Sequence, residues 1–355
     1  MSTRNNRRSI AQKVEYEPLV DIQMSTMLVG SGGNLRIVFC GETFPDTAEA
    51  LRQALPVDAG DEVIVWSGED LKTLPDNIDV LIPKMHTVDS RLLEMSRCRL
   101  VQQWGVGLEG IDILAAGDLG IPVANVPANG GNADSVAEHA LLLILALLRD
   151  LTQAQLNVRN GILGAPSGSM LAGRTVCLYG LGAIALPLAR RLKSFNVKLI
   201  GLTRQFSAAK MAEFGLDECY SLEEKATCLK QADVLVICAR LTPETRNSIN
   251  ADDLASLPSG ALLINVARGG LVEETALISA LRSGHLGGAG LDVYWKEPID
   301  TQHPLLQLSN VIATPHIAGI TLDSLKDIAA GVAANINRLR EGLPLQGVTN
   351  SRTTE

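Results

Sequence analysis

The stretch Arg174-Thr175-Val176-Cys177-Leu178-Tyr179-Gly180-Leu181-Gly182-Ala183-Ile184-Ala185 decides how the rest of the chain is read. A short apolar run, Thr175 to Tyr179, feeds into Gly180, Gly182 and Ala185, and a helix-prone segment from Leu186 to Phe195 follows at once. In this order of strand, glycine turn and helix each small residue has a task. Gly180 permits the tight turn, Gly182 lets backbone approach a pyrophosphate, and Ala185 lets helix and strand pack closely. The free amides at the helix start, helped by the helix dipole, favour a phosphate. A glycine turn between strand and helix also forms without any ligand, so the motif alone leaves dinucleotide binding open.

Working outward, apolar strand-like runs recur on both sides of it. Before it lie Leu35 to Cys40, Glu62 to Trp66, Val80 to Pro83, Leu100 to Trp104 and Val123 to Val126; after it lie Val197 to Leu202, Val234 to Cys238, Ala261 to Val266, Gly288 to Val293 and Val311 to Ala313. Helix-like segments separate many of them, and that alternation implies parallel sheets with covering helices. From Asn132 a long helix is expected, with Asp134 or Ser135 as cap, Glu138 in its first turn and apolar residues through to Leu148. A last helix, Leu322 to Leu339, has one apolar face and is expected to pack back on the first domain. The chain then crosses twice between domains and leaves a cleft with a hinge. The fold class is α/β, with two doubly wound parallel-sheet domains. One comprises residues 34–131 and 319–355 and the other residues 132–318, preceded by a flexible tail, 1–33, that ends in Gly30-Ser31-Gly32-Gly33.

A chain of 355 residues is long enough for about two domains. Hydrophobic residues at 46% and charged residues at 20% are ordinary for a soluble globular enzyme, and a net charge of -8 argues against sequence-independent nucleic-acid binding. The six cysteines (Cys40, Cys98, Cys177, Cys219, Cys228, Cys238) are scattered, with no Cys-x-x-Cys pair, which points to a reducing, cytoplasmic setting and no structural metal. The strongest apolar run, Ala140 to Leu148, is far shorter than the roughly 20 residues of a membrane span. Arg4, Arg7 and Arg8 are followed by Glu15, Glu17 and Asp21 rather than by an apolar signal core, so the N-terminus is expected to be a tail rather than a transit peptide.

In a doubly wound sheet, ligands sit beyond the carboxyl ends of strands. Arg268, Glu297 and His316 each fall just past such an end, so all three are expected on one rim. Arg can grip a carboxylate with two parallel hydrogen bonds, His can exchange a proton near neutral pH, and Glu beside it holds its tautomer. Singly, each has a plain alternative: a surface Arg in a turn, a loop Glu before Pro298, a His capping a helix. Their common placement favours the functional reading. Asp292, beside the same rim, can accept from a cofactor amide or cap a turn. Gly105-Val106-Gly107 offers backbone amides to an anion or makes a tight turn. For Lys84, Met85, His86 and Trp104, contact with a substrate side chain and ordinary packing or exposure stay equally open.

At this point the chain resembles the D-isomer-specific 2-hydroxyacid dehydrogenases, a family that includes glyoxylate/hydroxypyruvate reductases and phosphoglycerate dehydrogenases. The matching pieces are Gly105-Val106-Gly107 with Ile111-Asp112, Val136-Ala137-Glu138-His139, Gly180-Leu181-Gly182, Asn265-Val266-Ala267-Arg268-Gly269-Gly270, Gly290-Leu291-Asp292-Val293 through Glu297-Pro298, and Thr314-Pro315-His316. The resemblance implies a Rossmann cofactor domain and a flavodoxin-like substrate domain. It implies that Arg268 binds the substrate carboxylate, that His316 is the acid/base and that Glu297 is its partner. Val106 and Gly107 would supply backbone contacts to substrate or cofactor, Ala183 and Ile184 would lie at the pyrophosphate, and Ala239, Val266, Ala267 and Asp292 would line the dinucleotide. A homodimer formed through the helix near Asn132 is a further family expectation.

The sequence departs from its relatives in one informative place. An acidic residue about 20 positions past the glycine motif normally accepts from the adenosine ribose and selects NAD. Here Thr203 and Arg204 stand there, and Arg240 occupies a position where relatives commonly carry Pro. An Arg suits a 2′-phosphate, so NADP is the expected cofactor, with NAD the alternative and solvated Arg side chains the plain reading. Glu297 disfavours a formate dehydrogenase, which has Gln there. The end of the sequence at Glu355 leaves only a short form of phosphoglycerate dehydrogenase. The C-terminal-binding-protein corepressors share the fold and catalytic residues but sense nucleotide as interaction proteins. They are the alternative to a reductase of a small 2-oxo acid, most like glyoxylate or hydroxypyruvate.

Overall fold

Short apolar strands rich in β-branched residues must be covered on both faces, and the chain achieves this with two parallel sheets under helices. The computed structural model describes residues 33–127 and 131–350. Nearly all of the expected N-terminal tail, residues 1–32, lies outside the described residues, as do residues 351–355.

The first sheet holds β1 (Arg36–Cys40), β2 (Glu62–Trp66), β3 (Val80–Ile82), β4 (Leu100–Gln102) and β5 (Val123–Ala124) in the order β2-β1-β3-β4-β5. Val38 pairs with Ile64 on one side and with Leu81 on the other, both parallel. This is the flavodoxin-like winding, whose order reverses between β1 and β3. The second sheet holds β6 (Thr175–Tyr179), β7 (Lys198–Leu202), β8 (Glu218–Tyr220), β9 (Val234–Ile237), β10 (Ala261–Asn265), β11 (Leu286–Leu291) and β12 (Val311–Ala313). Its order is β12-β11-β10-β9-β6-β7-β8, a Rossmann winding that reverses between β6 and β9. There Gly180 (φ 92°) leaves β6 so close to the end of β9 that a Cβ on it would stand 2.6 Å from the Ala239 Cα.

The C-terminal helix Leu322–Glu341 buries Ile328, Val332, Ile336 and Leu339 against Ile37, Phe39 and Leu51 of the first sheet's layer. Beyond it Val348 bridges Ala124 antiparallel, and the Val123 amide donates to the Asn350 side chain at 2.9 Å. The chain therefore leaves the first sheet, builds the second and returns.

Three sequence expectations need correction. Asp134 and Ser135 lie inside the helix Gly131–Leu148 rather than at its cap. Ser135 Oγ donates back to the Gly131 carbonyl at 2.5 Å, Asp134 pairs with Arg191, and Glu138 falls beyond the first turn. That helix, with mean hydropathy 1.3, is long and apolar enough by length and composition to cross a membrane. It is instead a core element whose Ala137, Ala140, Leu143 and Ile144 pack against the second sheet. Strand β8 went unread because Glu218-Cys219-Tyr220 is a half-buried edge strand with no apolar run.

Candidate active site

Strand β10 is wholly buried and ends at Asn265, whose amide shapes the turn that follows. Its Oδ1 accepts the Ala267 amide at 3.1 Å and its Nδ2 donates to the Arg268 carbonyl at 2.9 Å. Val266 and Ala267 are thereby held buried at the strand end, and Arg268 projects across the cleft. Its Nη1 donates to the Ala267 carbonyl at 2.8 Å and its Nε to Glu109 of the other domain at 3.2 Å. The guanidinium lies over Gly107: a Cβ there would stand 2.1 Å from Arg268 Nη2, so a side chain at this position would displace the guanidinium. Gly105 and Val106 are pinned beside it, the Gly105 carbonyl by the Val126 amide and the Val106 carbonyl by Asn125 Nδ2, both at 3.0 Å. The Arg268–Glu109 side chains are 34% and 41% exposed, so their pairing is worth at most about 1 kcal/mol and yields readily to another carboxylate.

Next to β10, strand β11 delivers Asp292, which is fully buried and is occupied by the loop after β12. Its Oδ1 accepts from Thr314 Oγ1 at 2.6 Å and from the Ile317 amide at 2.9 Å, and its Oδ2 accepts the Ala318 amide at 2.7 Å. His139, from the helix Gly131–Leu148, braces the same cluster through Thr314 Oγ1 at 3.0 Å. Between these anchors sits His316 in the left-handed backbone region (φ 56°), where a branched chain is disfavoured and outside restraint is required.

His316 Nδ1 lies 2.5 Å from Glu297 Oε2, and Glu297 Oε1 accepts the Tyr294 amide at 2.9 Å. With Nδ1 engaged, Nε2 is the ring nitrogen left for exchange with a ligand. Burial pushes the Glu297 carboxyl up. The hydrogen bond and charge of His316, the Tyr294 amide and Arg268 outweigh it, so the group lies below its ordinary value. Arg268, Glu297 and His316 thus share one electrostatic environment, as their strand-end positions predict. Tyr294 closes the back, donating to the Thr314 carbonyl at 2.9 Å, and burial beside Asp292 and Glu297 raises its hydroxyl pKa to about 12.

On the other side of the strand ends, Gly182 faces open space, with no atom within 4 Å of a Cβ built on it. The helix Ala185–Leu192 starts at Ile184 without a side-chain cap, so amides of its first turn remain unused by side chains. Gly182, Ala183 and Ile184 therefore fit a dinucleotide pyrophosphate. Thr203 is buried at the end of β7, its amide donating to the Tyr220 carbonyl of β8 at 3.0 Å, while Arg204 beside it and Arg240 beyond β9 are exposed. Arg204 is near enough to Glu244 to help lower that carboxyl, after the Thr242 hydroxyl and the local backbone.

A cavity of about 460 Å³ opens beside His316 between the domains. Phe44, on the loop after β1, meets the His316 ring edge-on at 5.7 Å, and Met85, after β3, lines the same space. Of the other residues left open by sequence, Lys84 donates to the Thr43 carbonyl over the Phe39 ring, His86 packs on Trp66 and Trp104 packs on Phe39. Sequence reasoning missed Glu109, Phe44 and the bracing role of Thr314 and His139. Glu109 stands two residues past a motif that was noted, whereas Phe44 carries no sequence signal. Among the described residues no group of three or more His, Cys, Asp or Glu side chains is placed to hold a metal.

A family model described as the NAD binding domain of D-isomer specific 2-hydroxyacid dehydrogenases matches residues 141–318. A glyoxylate reductase from Pyrococcus furiosus is 33% identical over 86% of this chain and 92% of its own length. A D-3-phosphoglycerate dehydrogenase from Archaeoglobus fulgidus is 32% identical over 83% of this chain. The chain spans 56% of that relative's length, about half of what such dehydrogenases contain. Among solved structures, an NADPH-dependent glyoxylate/hydroxypyruvate reductase from Sinorhizobium meliloti, in complex with NADP and malonate, superposes with a TM-score of 0.76. It is 29% identical, with 89% of this chain and 97% of that one covered.

The Glu297–His316 pair has a testable pH signature. Because the Glu297 carboxyl is depressed below its ordinary value of 4.5, the pair adds stability that is present above that value and lost as pH falls through the depressed one. Glu297→Gln should melt below the parent at about pH 6, with the gap closing towards about pH 3. A gap in melting temperature that stays constant over that range contradicts the pairing.

Proposed function

Because the chain belongs to the D-isomer specific 2-hydroxyacid dehydrogenase family, we propose that it is an NAD(P)-dependent enzyme that reduces 2-oxo acids to D-2-hydroxy acids. The observation that carries the reading is the meeting, at one cleft, of a guanidinium from β10, a His–Glu pair from β11 and β12, and an open glycine turn after β6. Arg268 takes the substrate carboxylate, exchanging it for Glu109, and so fixes which face of the carbonyl is presented. Backbone at Val106 and Gly107 flanks the same carboxylate. His316 Nε2 delivers a proton to the carbonyl oxygen, and Glu297 on Nδ1 holds the ring's tautomer and orientation. Gly180, Gly182, Ala183 and Ile184 hold the dinucleotide, with Ala239, Val266 and Ala267 along it. When bound, its nicotinamide supplies the hydride for the carbonyl carbon. The burial of Asp292 under the His316 loop fits a positioning residue better than a direct ligand of the cofactor. Glyoxylate and hydroxypyruvate satisfy the minimal requirement of a carboxylate beside a carbonyl.

The cofactor is NADP in preference to NAD. Thr203 and Arg204 rather than a carboxylate follow β7, and Arg204 and Arg240, beyond β9, are both exposed. The six unbonded cysteines fit a reducing, cytoplasmic compartment.

The enzyme works as a homodimer. The helix Leu151–Arg159 and the segment after it leave Val158 78%, Leu163 99% and Met170 78% exposed, and Leu142 on the long helix Gly131–Leu148 is 53% exposed. Large exposed apolar side chains of this kind fit burial against a second copy.

Steady-state reduction of glyoxylate and hydroxypyruvate with each reduced cofactor tests the reading. The parent should turn over with a lower KM for NADPH than for NADH, and His316→Ala should lose at least about a hundredfold in kcat while still binding NADPH. Unchanged turnover in that variant refutes the acid/base role, and tighter binding of NADH refutes the cofactor preference. Sedimentation tests assembly: the parent should run as a dimer and Leu163→Glu as a monomer, whereas a monomeric parent contradicts the interface.

A further inference from the structure

The cavity beside His316 carries more information than the reaction class. It lies where the winding of the first sheet reverses, between the loops after β1 and β3, and faces the loop after β12 that carries His316. Ligands of open α/β sheets collect at such reversal points. Its walls include Phe44, Pro45, Met85, Pro298, Ile317 and Ile320. Met85 and Ile317 are 45% and 41% exposed there, although each could bury its side chain if the space were filled.

We propose that this cavity receives the side chain of the 2-oxo acid and selects branched or aromatic apolar side chains over hydroxymethyl and phosphorylated ones. The assignment rests on the reductase reading above and names the substrate class of the same site. A molecule pinned by Arg268 through its carboxylate and by His316 at its carbonyl has one remaining substituent, and this cavity adjoins His316. At about 460 Å³ the cavity has room for an isobutyl or benzyl group, which glyoxylate leaves unfilled.

Charge argues the same way. No Lys or Arg lines the cavity, and beyond the Glu297–His316 pair its ionisable lining is the Asp46 carboxylate and the Tyr294 hydroxyl. A phosphate would meet no cation and an acidic neighbour. Lys84, on the loop after β3, does not line the cavity and is already engaged: it donates to the Thr43 carbonyl, lies 5.4 Å from the Phe39 ring centroid and is buried. A hydroxyl entering a wall that is mostly apolar would exchange its water for few partners, the polar lining being Thr43, Asp46, Thr47 and Tyr294 beside the Glu297–His316 pair. Apolar side chains, by contrast, bury against Phe44, Met85 and Ile317 and exclude water from the His316 ring.

The test is a substrate panel on the full-length enzyme with NADPH: glyoxylate, hydroxypyruvate, 3-phosphohydroxypyruvate, 4-methyl-2-oxopentanoate and phenylpyruvate. The two apolar acids should exceed hydroxypyruvate in kcat/KM by at least about tenfold, and the phosphorylated acid should be the poorest. Preference for hydroxypyruvate, glyoxylate or the phosphorylated acid overturns the cavity assignment and leaves the reductase reading standing. Turnover of none of the five overturns both. Met85→Glu, at an exposed position that tolerates the change, places an anion in the wall. It should depress kcat/KM for the apolar acids at least about tenfold more than for glyoxylate, with NADPH affinity retained. Equal loss on all substrates means that the cavity does not read the side chain.

Discussion

The buried carboxylate of Asp292 is the constraint on which the site depends. It stands just past the end of β11 with no exposed surface, and three donors from the loop after β12 converge on it. A buried carboxylate is costly unless its lone pairs are filled, and hydrogen bonds to a charged acceptor are worth about 1.5–3 kcal/mol each. The loop therefore has little freedom, and the positive φ at His316 is sustained by its neighbours on either side. With the backbone fixed, Glu297 and the Tyr294 amide have only to orient the ring.

The same logic explains the cleft. Arg268 is aimed by Asn265 through backbone, and its tip reaches Glu109 and Gly107 in the other domain. That cross-cleft contact is weak because it is partly solvated, whereas the contacts near the crossings are numerous. Asn132 Nδ2 donates to Ser324 Oγ at 3.1 Å, and Ser135 and Thr321 share a hydrogen bond of 2.7 Å. The two sheets' layers are thus joined by several hydrogen bonds where the chain crosses and by a partly solvated ion pair at Arg268, an arrangement that would suit a closing cleft.

Much of this was legible in the sequence because it is local. Gly180 and Gly182 follow a buried strand directly, and the alternation of strands and helices fixes a doubly wound α/β class. Residues just past strand ends must reach a common rim, so Arg268, Glu297 and His316 could be named together. What escaped the reading is set by distant chain segments. Strand β8 exists because its backbone pairs with β7, not because its side chains are apolar. Asp134 looked like a cap because a cap is a local signal, but the helix begins before it. Glu109, Phe44 and Met85 acquire their roles only when the first domain faces the second, and no residue spacing within either domain encodes that approach.

The division of labour at Asp292 separates this account from one in which the residue serves the cofactor directly. The decisive measurement is the kcat and the NADPH dissociation constant of Asp292→Asn, which keeps the shape but presents an NH₂ to donors that expect an anion. A positioning carboxylate predicts that kcat falls by at least about tenfold while the dissociation constant changes less than about threefold. A large loss of NADPH affinity with kcat preserved would contradict it.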